Sequence, residues 1–314
     1  MGNPDADSRP SVFLDLIRLG RLHYLLLGVV IYIYGVLVAR ALGVEVDLAR
    51  AVLGYLVMMP AHLSVSYSNE AFDMEADQHA TPGPLSGGTG VLVRRPELRG
   101  AAVGIAAGLI VLSLGLGAWF VVRYAAGPLF VVLLTAGNFL SWFYTGPPLR
   151  LAYRGLGELA TATTVGLVVP LFGYAAVGAS LSPPLLLIAP LSLAYALLFV
   201  FCYQLPDRDG DRAAGKPNWT IGRSIPASFR IMLILTGAAF LWFAGLAAFS
   251  SAARIPLPAG LPWLAYAVAS FLPLLATGLG ARRLQTTDEA GQAGLVASAA
   301  PMILASVFAV MVIL

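Results

Sequence analysis

Two short stretches of the chain carry carboxylates at a spacing that suits a metal site. In the first, Asn69, Asp73 and Asp77 follow one another at intervals of four residues. In the second, Asp207 and Asp211 repeat that interval. Residues four apart share one face of a helix, and proteins hold Mg²⁺ with carboxylates, water and phosphate oxygens. Because two facing carboxylate clusters repel unless cations lie between them, the pattern predicts a site for Mg²⁺, with two ions, and for a diphosphate that they neutralise.

The composition indicates that these clusters belong to a polytopic membrane protein. Of the 314 residues, 59% are hydrophobic and 11% are charged, whereas soluble domains have about 25% charged residues. Mean hydropathy is +0.83. These values exclude a disordered chain, a disulfide scaffold and an ordinary cytosolic enzyme. The single cysteine, Cys202, cannot form an internal disulfide, and the polar segment 1–9 does not suggest a cleaved signal peptide.

Nine charge-free apolar stretches approach the roughly 20 residues that a membrane-spanning helix needs. They are 22–39, 51–68, 101–122, 125–144, 159–179, 184–205, 231–253, 261–281 and 293–314. We therefore predict an all-α integral membrane protein with nine transmembrane helices. The connecting loops are too short for a second soluble domain, so a single transmembrane domain over 1–314 is expected.

The distribution of basic residues predicts the orientation in the membrane. With nine spans, fifteen of the nineteen Lys and Arg residues fall on one side of the membrane. Because positive charge is retained in the cytoplasm, the N-terminus and the loops after even-numbered spans are predicted to be cytoplasmic. Both carboxylate clusters follow even-numbered spans and so emerge on that side. A simpler interpretation is that these carboxylates are only solvated at the membrane surface, but the matched spacing and side favour a shared site.

The order of these motifs resembles the UbiA superfamily of intramembrane prenyltransferases. The family's first motif, N-D-x-x-D-x-x-x-D, and its second, D-x-x-x-D followed by Gly-Lys and Thr, are matched here by Asn69, Glu70, Asp73, Asp77, Asp207, Asp211, Gly215, Lys216 and Thr220. The stretch 144–158, YTGPPLRLAYRGLGE, looks like the branch that prenylates 1,4-dihydroxy-2-naphthoate in menaquinone synthesis. The resemblance covers almost the whole chain in helix count and motif order.

This resemblance implies a fold, an activity and a set of ligands. The fold would be nine helices around a central cavity that is open sideways to lipid. The activity would be transfer of a polyprenyl group from an isoprenyl diphosphate to a small aromatic acceptor, a naphthoate or quinone precursor. The implied partners are these two substrates and membrane lipid, with no nucleic acid. The implied catalytic and metal-binding residues are Asp73, Asp77, Asp207 and Asp211, with Asn69 supporting the first Mg²⁺ and Lys216 contacting phosphate.

Three departures from the family pattern concern the phosphate site, and one of them is Asn218, which stands where a basic residue is common. Glu70 replaces the usual Asp, but it keeps the charge, so we expect the change to be tolerated. The Arg that usually follows the first motif is missing, because no basic residue lies between Asp77 and Arg94. Its role is either taken by Arg94 or Arg95, or absent. Arg21, on the same predicted side of the membrane, could also reach phosphate.

Further residues are candidates for the walls of the cavity. Tyr203 precedes Asp207 by four residues, and aromatic faces stabilise a cation by about 0.5–2 kcal/mol. Tyr144 fits an aromatic belt or an active-site wall equally well. Asn138 belongs to a polar stripe that either bonds a neighbouring helix or contacts a ligand. His62 is either a proton acceptor or a buried structural histidine.

Two other functions fit part of the pattern. A UbiA-type terpene cyclase would ionise a prenyl diphosphate on Mg²⁺ in the same way, and its cation would then attack its own double bonds without an aromatic acceptor. A transporter would place its substrate-binding ionisable groups near the membrane midplane. The carboxylates here lie at predicted helix ends instead, which favours an enzyme.

Overall fold

The computed structural model describes residues 11–79 and 88–251, together with five helical positions between 267 and 275. This described part of the chain contains eleven α-helices joined by turns and loops. In chain order they are α1 (Val12–Leu19), α2 (Tyr24–Ala41), α3 (Leu48–Phe72), α4 (Met74–Asp77), α5 (Val91–Arg94), α6 (Arg99–Tyr124), α7 (Pro128–Phe143), α8 (Gly157–Thr163), α9 (Val169–Ala176), α10 (Pro184–Ala213) and α11 (Ile225–Ser251). A π-helical turn, Thr164–Val168, joins α8 to α9.

Five helical stretches among the described residues are long and apolar enough to cross a membrane. They are Val12–Ala41, Leu48–Phe72, Pro96–Tyr124, Gly157–Ala176 and Pro226–Phe249. Shorter apolar helices, Pro128–Phe143 and Ser192–Phe201, lie within the predicted spans 125–144 and 184–205. The all-helical, multi-pass class is therefore confirmed with about five candidate spans. The predicted spans 261–281 and 293–314 lie largely or wholly outside the described residues, so the total of nine stays a prediction.

Helices α3 and α7 run in the same direction and are joined by buried polar contacts. The Ser64 hydroxyl donates to Ser141 Oγ at 3.2 Å. Farther along α3, and just past the end of α7, Thr145 Oγ1 donates to Asn69 Oδ1 at 2.9 Å. Such bonds are favourable inside an apolar bundle because an unpaired hydroxyl there has no water to bond. The C-terminal ends of both helices therefore lie at the same end of the bundle.

Aromatic rings and a close approach at a glycine pack α2, α6, α7 and α9 against one another. Phe130 stacks on Phe120 with ring centroids 4.7 Å apart and contacts Phe172 at 4.6 Å, which joins α6, α7 and α9. Helix α2 approaches α9 so closely at Gly35 that any added Cβ would overlap the carbonyl oxygen of Pro170. This packing encloses a space between α2, α3, α7, α9 and α10.

The helix that carries the first motif is interrupted within that motif, whereas the helix that carries the second motif is continuous through it. Helix α3 stops at Phe72, and Asp73 has φ −98° and ψ 6° before the short α4 begins. The continuous helix expected through the first motif is thus interrupted, although the amide of Asp77 still bonds the carbonyl of Asp73 at 2.9 Å. Helix α10 continues through Asp207 and Asp211 to Ala213. The second motif therefore lies on an unbroken helix.

Candidate active site

The bundle contains a cavity of about 340 Å³ that is polar at one end. We call the part formed by Asp73, Asp211 and Lys216 the polar end. Below it the walls are mainly apolar and come from α2, α3, α7, α9 and α10. The polar and charged residues that line the cavity near this end are Arg21, Asn69, Glu70, Asp73, Asp77, Asp211, Lys216 and Asn218.

Lys216 brings the two carboxylate motifs together. Its Nζ lies 2.7 Å from Asp73 Oδ2 and 3.9 Å from Asp211 Oδ1. Burial lowers the pKa of Lys216, but the two carboxylates raise it more, so its pKa lies well above the usual value and the ammonium group stays charged. Burial raises the pKa of Asp211, against the opposing effects of Lys216 and Asn218. The polar end is thus a compact ionic cluster.

Neutral side chains hold the remaining oxygens of these carboxylates. Tyr153 Oη donates to Asp73 Oδ1 at 2.8 Å, and Asn218 Nδ2 donates to Asp211 Oδ2 at 2.7 Å. Burial, followed by the charge of Asp73, raises the pKa of Tyr153, so its hydroxyl remains a donor. Sequence reasoning did not identify either contact. The signal for Tyr153 was its place in the stretch 144–158 that looks like the family, and the signal for Asn218 was that it stands where a basic residue is common.

Glu70 connects the end of α3 to the segment that follows residue 87. Its carboxylate accepts hydrogen bonds from the amide of Thr89 at 2.8 Å and from the Thr89 hydroxyl at 2.7 Å. The guanidinium of Arg21 lies 4.0 Å away. In the same segment Gly88 has φ +62°, and a Cβ there would overlap the carboxylate of Asp77. Glu70 and Gly88 thus fix this segment against the first motif.

Most of the residues predicted for the site are brought to one cavity. The predicted residues in its lining are Arg21, Asn69, Asp73, Asp77, Asn138, Tyr144, Asp211 and Lys216. Asn138 also bonds a neighbouring helix, since its Nδ2 donates to Ser113 Oγ at 3.1 Å. Arg94 is exposed on α5 and is not part of the lining. Asp207 and Tyr203 lie on α10, but their side chains are outside the described residues.

The oxygen donors at the polar end suit a hard divalent cation. Carboxylates of Asp73, Asp77 and Asp211 and the amide oxygen of Asn69 are the ligand types that Mg²⁺ prefers. Among the residues that the structure describes, however, no three His, Cys, Asp or Glu side chains form a group that could hold an ion. The ammonium of Lys216 instead lies between two of the carboxylates. A bound Mg²⁺ would therefore need further oxygen ligands, such as phosphate or water.

Comparison with known proteins identifies one family and several similar folds. The model of the UbiA prenyltransferase family matches residues 28–310. A UbiA homologue from Archaeoglobus fulgidus, bound to GPP and Mg²⁺, has a TM-score of 0.60 at 16% identity, covering 95% of this chain and 99% of that one. A structure of digeranylgeranylglyceryl phosphate synthase has a TM-score of 0.64 at 17% identity, covering 96% and 97%. The apo UbiA homologue from Aeropyrum pernix K1 has a TM-score of 0.55 at 16% identity, covering 97% and 99%. No curated protein matches the sequence.

Proposed function

The chain belongs to the UbiA prenyltransferase family, and on this premise we propose that it transfers a polyprenyl group from an isoprenyl diphosphate to a small aromatic acceptor. The observation that most supports this proposal is the position of Lys216 Nζ, 2.7 Å from Asp73 and 3.9 Å from Asp211, at the polar end of a mainly apolar cavity. A diphosphate would bind at this end and its prenyl chain would lie in the apolar part. Homologues bound to GPP and Mg²⁺ and to DMAPP and Mg²⁺ support this class of donor.

The proposed reaction breaks the bond between C1 of the prenyl group and the diphosphate oxygen, and the electron pair leaves with the diphosphate. A ring carbon of the acceptor supplies the electrons for the new C–C bond and then loses its proton to solvent. Lys216 would stabilise the negative charge that develops on the departing diphosphate, which favours the transition state over the ground state. Tyr144 and Tyr203 would offer aromatic faces to the allylic cation.

We propose that two Mg²⁺ ions bind at the polar end. Bound there, they would act as Lewis acids on the same developing charge. The residues that would hold them are Asp73, Asp77, Asp207 and Asp211, supported by Asn69. The donor set agrees with Mg²⁺ chemistry, and the partners Tyr153 and Asn218 would orient two of the carboxylates.

We further propose the naphthoate or quinone-precursor branch, on the basis of the stretch 144–158. The proposed architecture is a single domain over 1–314 with nine spans, and with the N-terminus and the polar end facing the cytoplasm. The basic residues of the even-numbered loops support this orientation.

A product screen tests the proposal. The full-length protein, purified in nanodiscs, would be incubated with prenyl diphosphates of several lengths, with and without 1,4-dihydroxy-2-naphthoate or other aromatic acids, in Mg²⁺ or in EDTA. We expect a prenylated aromatic product, detected by mass spectrometry, only when donor, acceptor and Mg²⁺ are all present. A cyclic hydrocarbon formed without an acceptor would support a terpene cyclase instead. Absence of diphosphate release from every donor would contradict both activities.

A further inference from the structure

Glu158 is a buried carboxylate that the proposed reaction leaves without a role. It lies in the first turn of α8 and is fully buried. Among the described residues, the cavity lining includes its neighbour Gly157 but not Glu158 itself. Its Oε2 has no hydrogen-bond partner among those residues. Because burying a carboxylate costs more free energy than burying an apolar side chain, its presence there indicates a role other than stability.

The other oxygen of Glu158 holds the loop between α10 and α11. Glu158 Oε1 accepts a hydrogen bond from the backbone amide of Trp219 at 2.5 Å. The two residues are 61 positions apart in the sequence, so this bond fastens the loop to the start of α8. A carboxylate that accepts from an amide forms a charge-assisted bond, which is stronger than a bond between neutral groups.

This loop carries Lys216, the cation of the polar end, and Asn218, which bonds Asp211. The amide of Lys216 donates to the carbonyl oxygen of Asp211 at 2.9 Å. Asn218 Oδ1 accepts from the amide and from the hydroxyl of Thr220 at 2.9 and 2.7 Å. These bonds make this part of the loop compact. A shift of Trp219 would therefore move Lys216 and Asn218 as well.

The segment that contains Glu158 also holds the first motif. The hydroxyl of Tyr153 donates to Asp73, and five residues later Glu158 bonds the loop. Gly155 lies between them with φ +72°, a left-handed conformation that glycine adopts without steric cost. One short segment, 153–158, thus contacts both sides of the polar end.

Charge alone does not explain a carboxylate at this place. Glu158 is close enough to Asp211 for its negative charge to act on that residue. The same charge would repel a diphosphate bound at the polar end, so removing it should favour diphosphate binding. A benefit from Glu158 must therefore come from its hydrogen bond.

We propose that Glu158 is a positioning residue, which fixes Lys216 against the diphosphate by holding the amide of Trp219. The proposal rests on the proposed prenyl transfer, since it assigns a residue to that reaction's diphosphate site. The ammonium group of a lysine lies at the end of a flexible stem, so its contact with phosphate depends on where the backbone of the loop is held. A loop that is already ordered does not have to be ordered when the substrate binds, which increases affinity.

Two neutral substitutions of similar size test this role. Glu158→Gln keeps an oxygen for the amide of Trp219, whereas Glu158→Met does not. Binding of inorganic diphosphate in the presence of Mg²⁺ would be measured by titration calorimetry on the full-length protein in nanodiscs. We expect Glu158→Met to raise the Kd about tenfold, the effect of losing one hydrogen bond to a charged group, and Glu158→Gln to stay within about threefold of the unaltered protein.

A double substitution separates positioning from a general loss of stability. In a Lys216→Met background, Glu158→Met is expected to change the Kd by less than about threefold, because the group that it positions is absent. The same loss of affinity in both backgrounds would overturn the proposal. The matched control is Glu97→Met, which replaces a carboxylate whose side chain is 61% exposed, and it should leave the Kd unchanged.

A third variant, Glu158→Asp, tests the role without removing the buried charge, in case Glu158→Met lowers the unfolding temperature. Its shorter side chain should weaken the bond to Trp219 and raise the Kd about fivefold. An unchanged Kd for this variant, or equal Kd values for Glu158→Gln and Glu158→Met, would overturn the positioning role and leave the proposed prenyl transfer in place. If the unaltered protein binds no diphosphate in Mg²⁺, the diphosphate site itself is wrong and both proposals are contradicted.

Discussion

The polar end of the cavity and the wall farther from it differ in how their polar groups are paired. At the polar end Asp73, Lys216 and Asp211 pair with one another. In the wall farther from the polar end, His62, Asn138 and Gln204 each keep a buried polar atom without a partner among the described residues. The difference follows from charge, because an unpaired buried charge costs far more than an unpaired neutral group. The three charged groups of the polar end are therefore paired with one another before any ligand binds, which leaves one net negative charge on the cluster.

This difference predicts two modes of binding in one cavity. A ligand at the polar end must replace existing ion pairs, since Lys216 has to exchange a carboxylate for a phosphate. Its affinity is then expected to depend on Mg²⁺ and on salt. A prenyl chain in the apolar part of the cavity replaces no ion pair, so its affinity is expected to depend on the apolar area that it buries.

Removing a carboxylate from the polar end is the largest perturbation. Asp73→Asn is expected to lower turnover at least about 10³-fold, because a metal ligand is lost and metal stabilisation of the transition state amounts to several kcal/mol. Asp207→Ala is expected to act in the same way. Product formation would be followed by mass spectrometry, with the unfolding temperature as a check on folding.

The matched control for these variants is Asp209→Asn. Asp209 lies between the two aspartates of the second motif, but its side chain is 91% exposed. Among the residues that the structure describes, it pairs with Arg212 of its own helix. We expect near-normal turnover for this control. Activity of Asp73→Asn within tenfold of the unaltered protein would contradict a metal site at the polar end.

Replacing Lys216 by Met tests the competition between the ammonium group and Mg²⁺. Turnover is expected to fall about 10²-fold, because one cationic partner of the departing diphosphate is lost. The Mg²⁺ concentration for half-maximal activity should decrease at the same time, since no ammonium competes for Asp73 and Asp211. Titration with Mg²⁺ measures both effects. An unchanged Mg²⁺ requirement, compared with the exposed control Arg212→Met, would show that Lys216 does not oppose metal binding.

The sequence predicts the helices and the spacing of the two motifs better than it predicts the side chains that pair with the motif residues. Apolar stretches predict α3 and α6 because the length of an apolar stretch is a local property. The spacing and sidedness of the two motifs also predict that Asp73 and Asp211 share a site. The bond from Tyr153 to Asp73 depends on how distant segments pack, and no spacing encodes it. The break in the helix at Asp73 was missed for the same reason, since no Pro or Gly marks it.

Arg21 and Arg94 are both candidates for binding the phosphate of the donor. Position in the sequence does not decide between them, and substituting either one is expected to have the smallest effect on activity among these predictions. Arg94 follows the first motif in sequence, whereas Arg21 precedes it by far more residues. In the structure Arg21 lines the cavity beside Glu70, and its guanidinium lies 4.6 Å from the ring of Tyr24. Arg94 is exposed on α5 and is not part of the lining.

We therefore expect Arg21→Ala to raise the KM for the prenyl diphosphate about five- to tenfold, the effect of losing one partly buried charge–charge contact. Arg94→Ala should have a smaller effect, because an exposed charge is screened by solvent and salt. Parallel measurement of the donor KM in both variants, at two salt concentrations, distinguishes them. A larger effect from Arg94→Ala would mean that Arg94 on α5 approaches the diphosphate when substrate binds, and that proximity in sequence was the better guide.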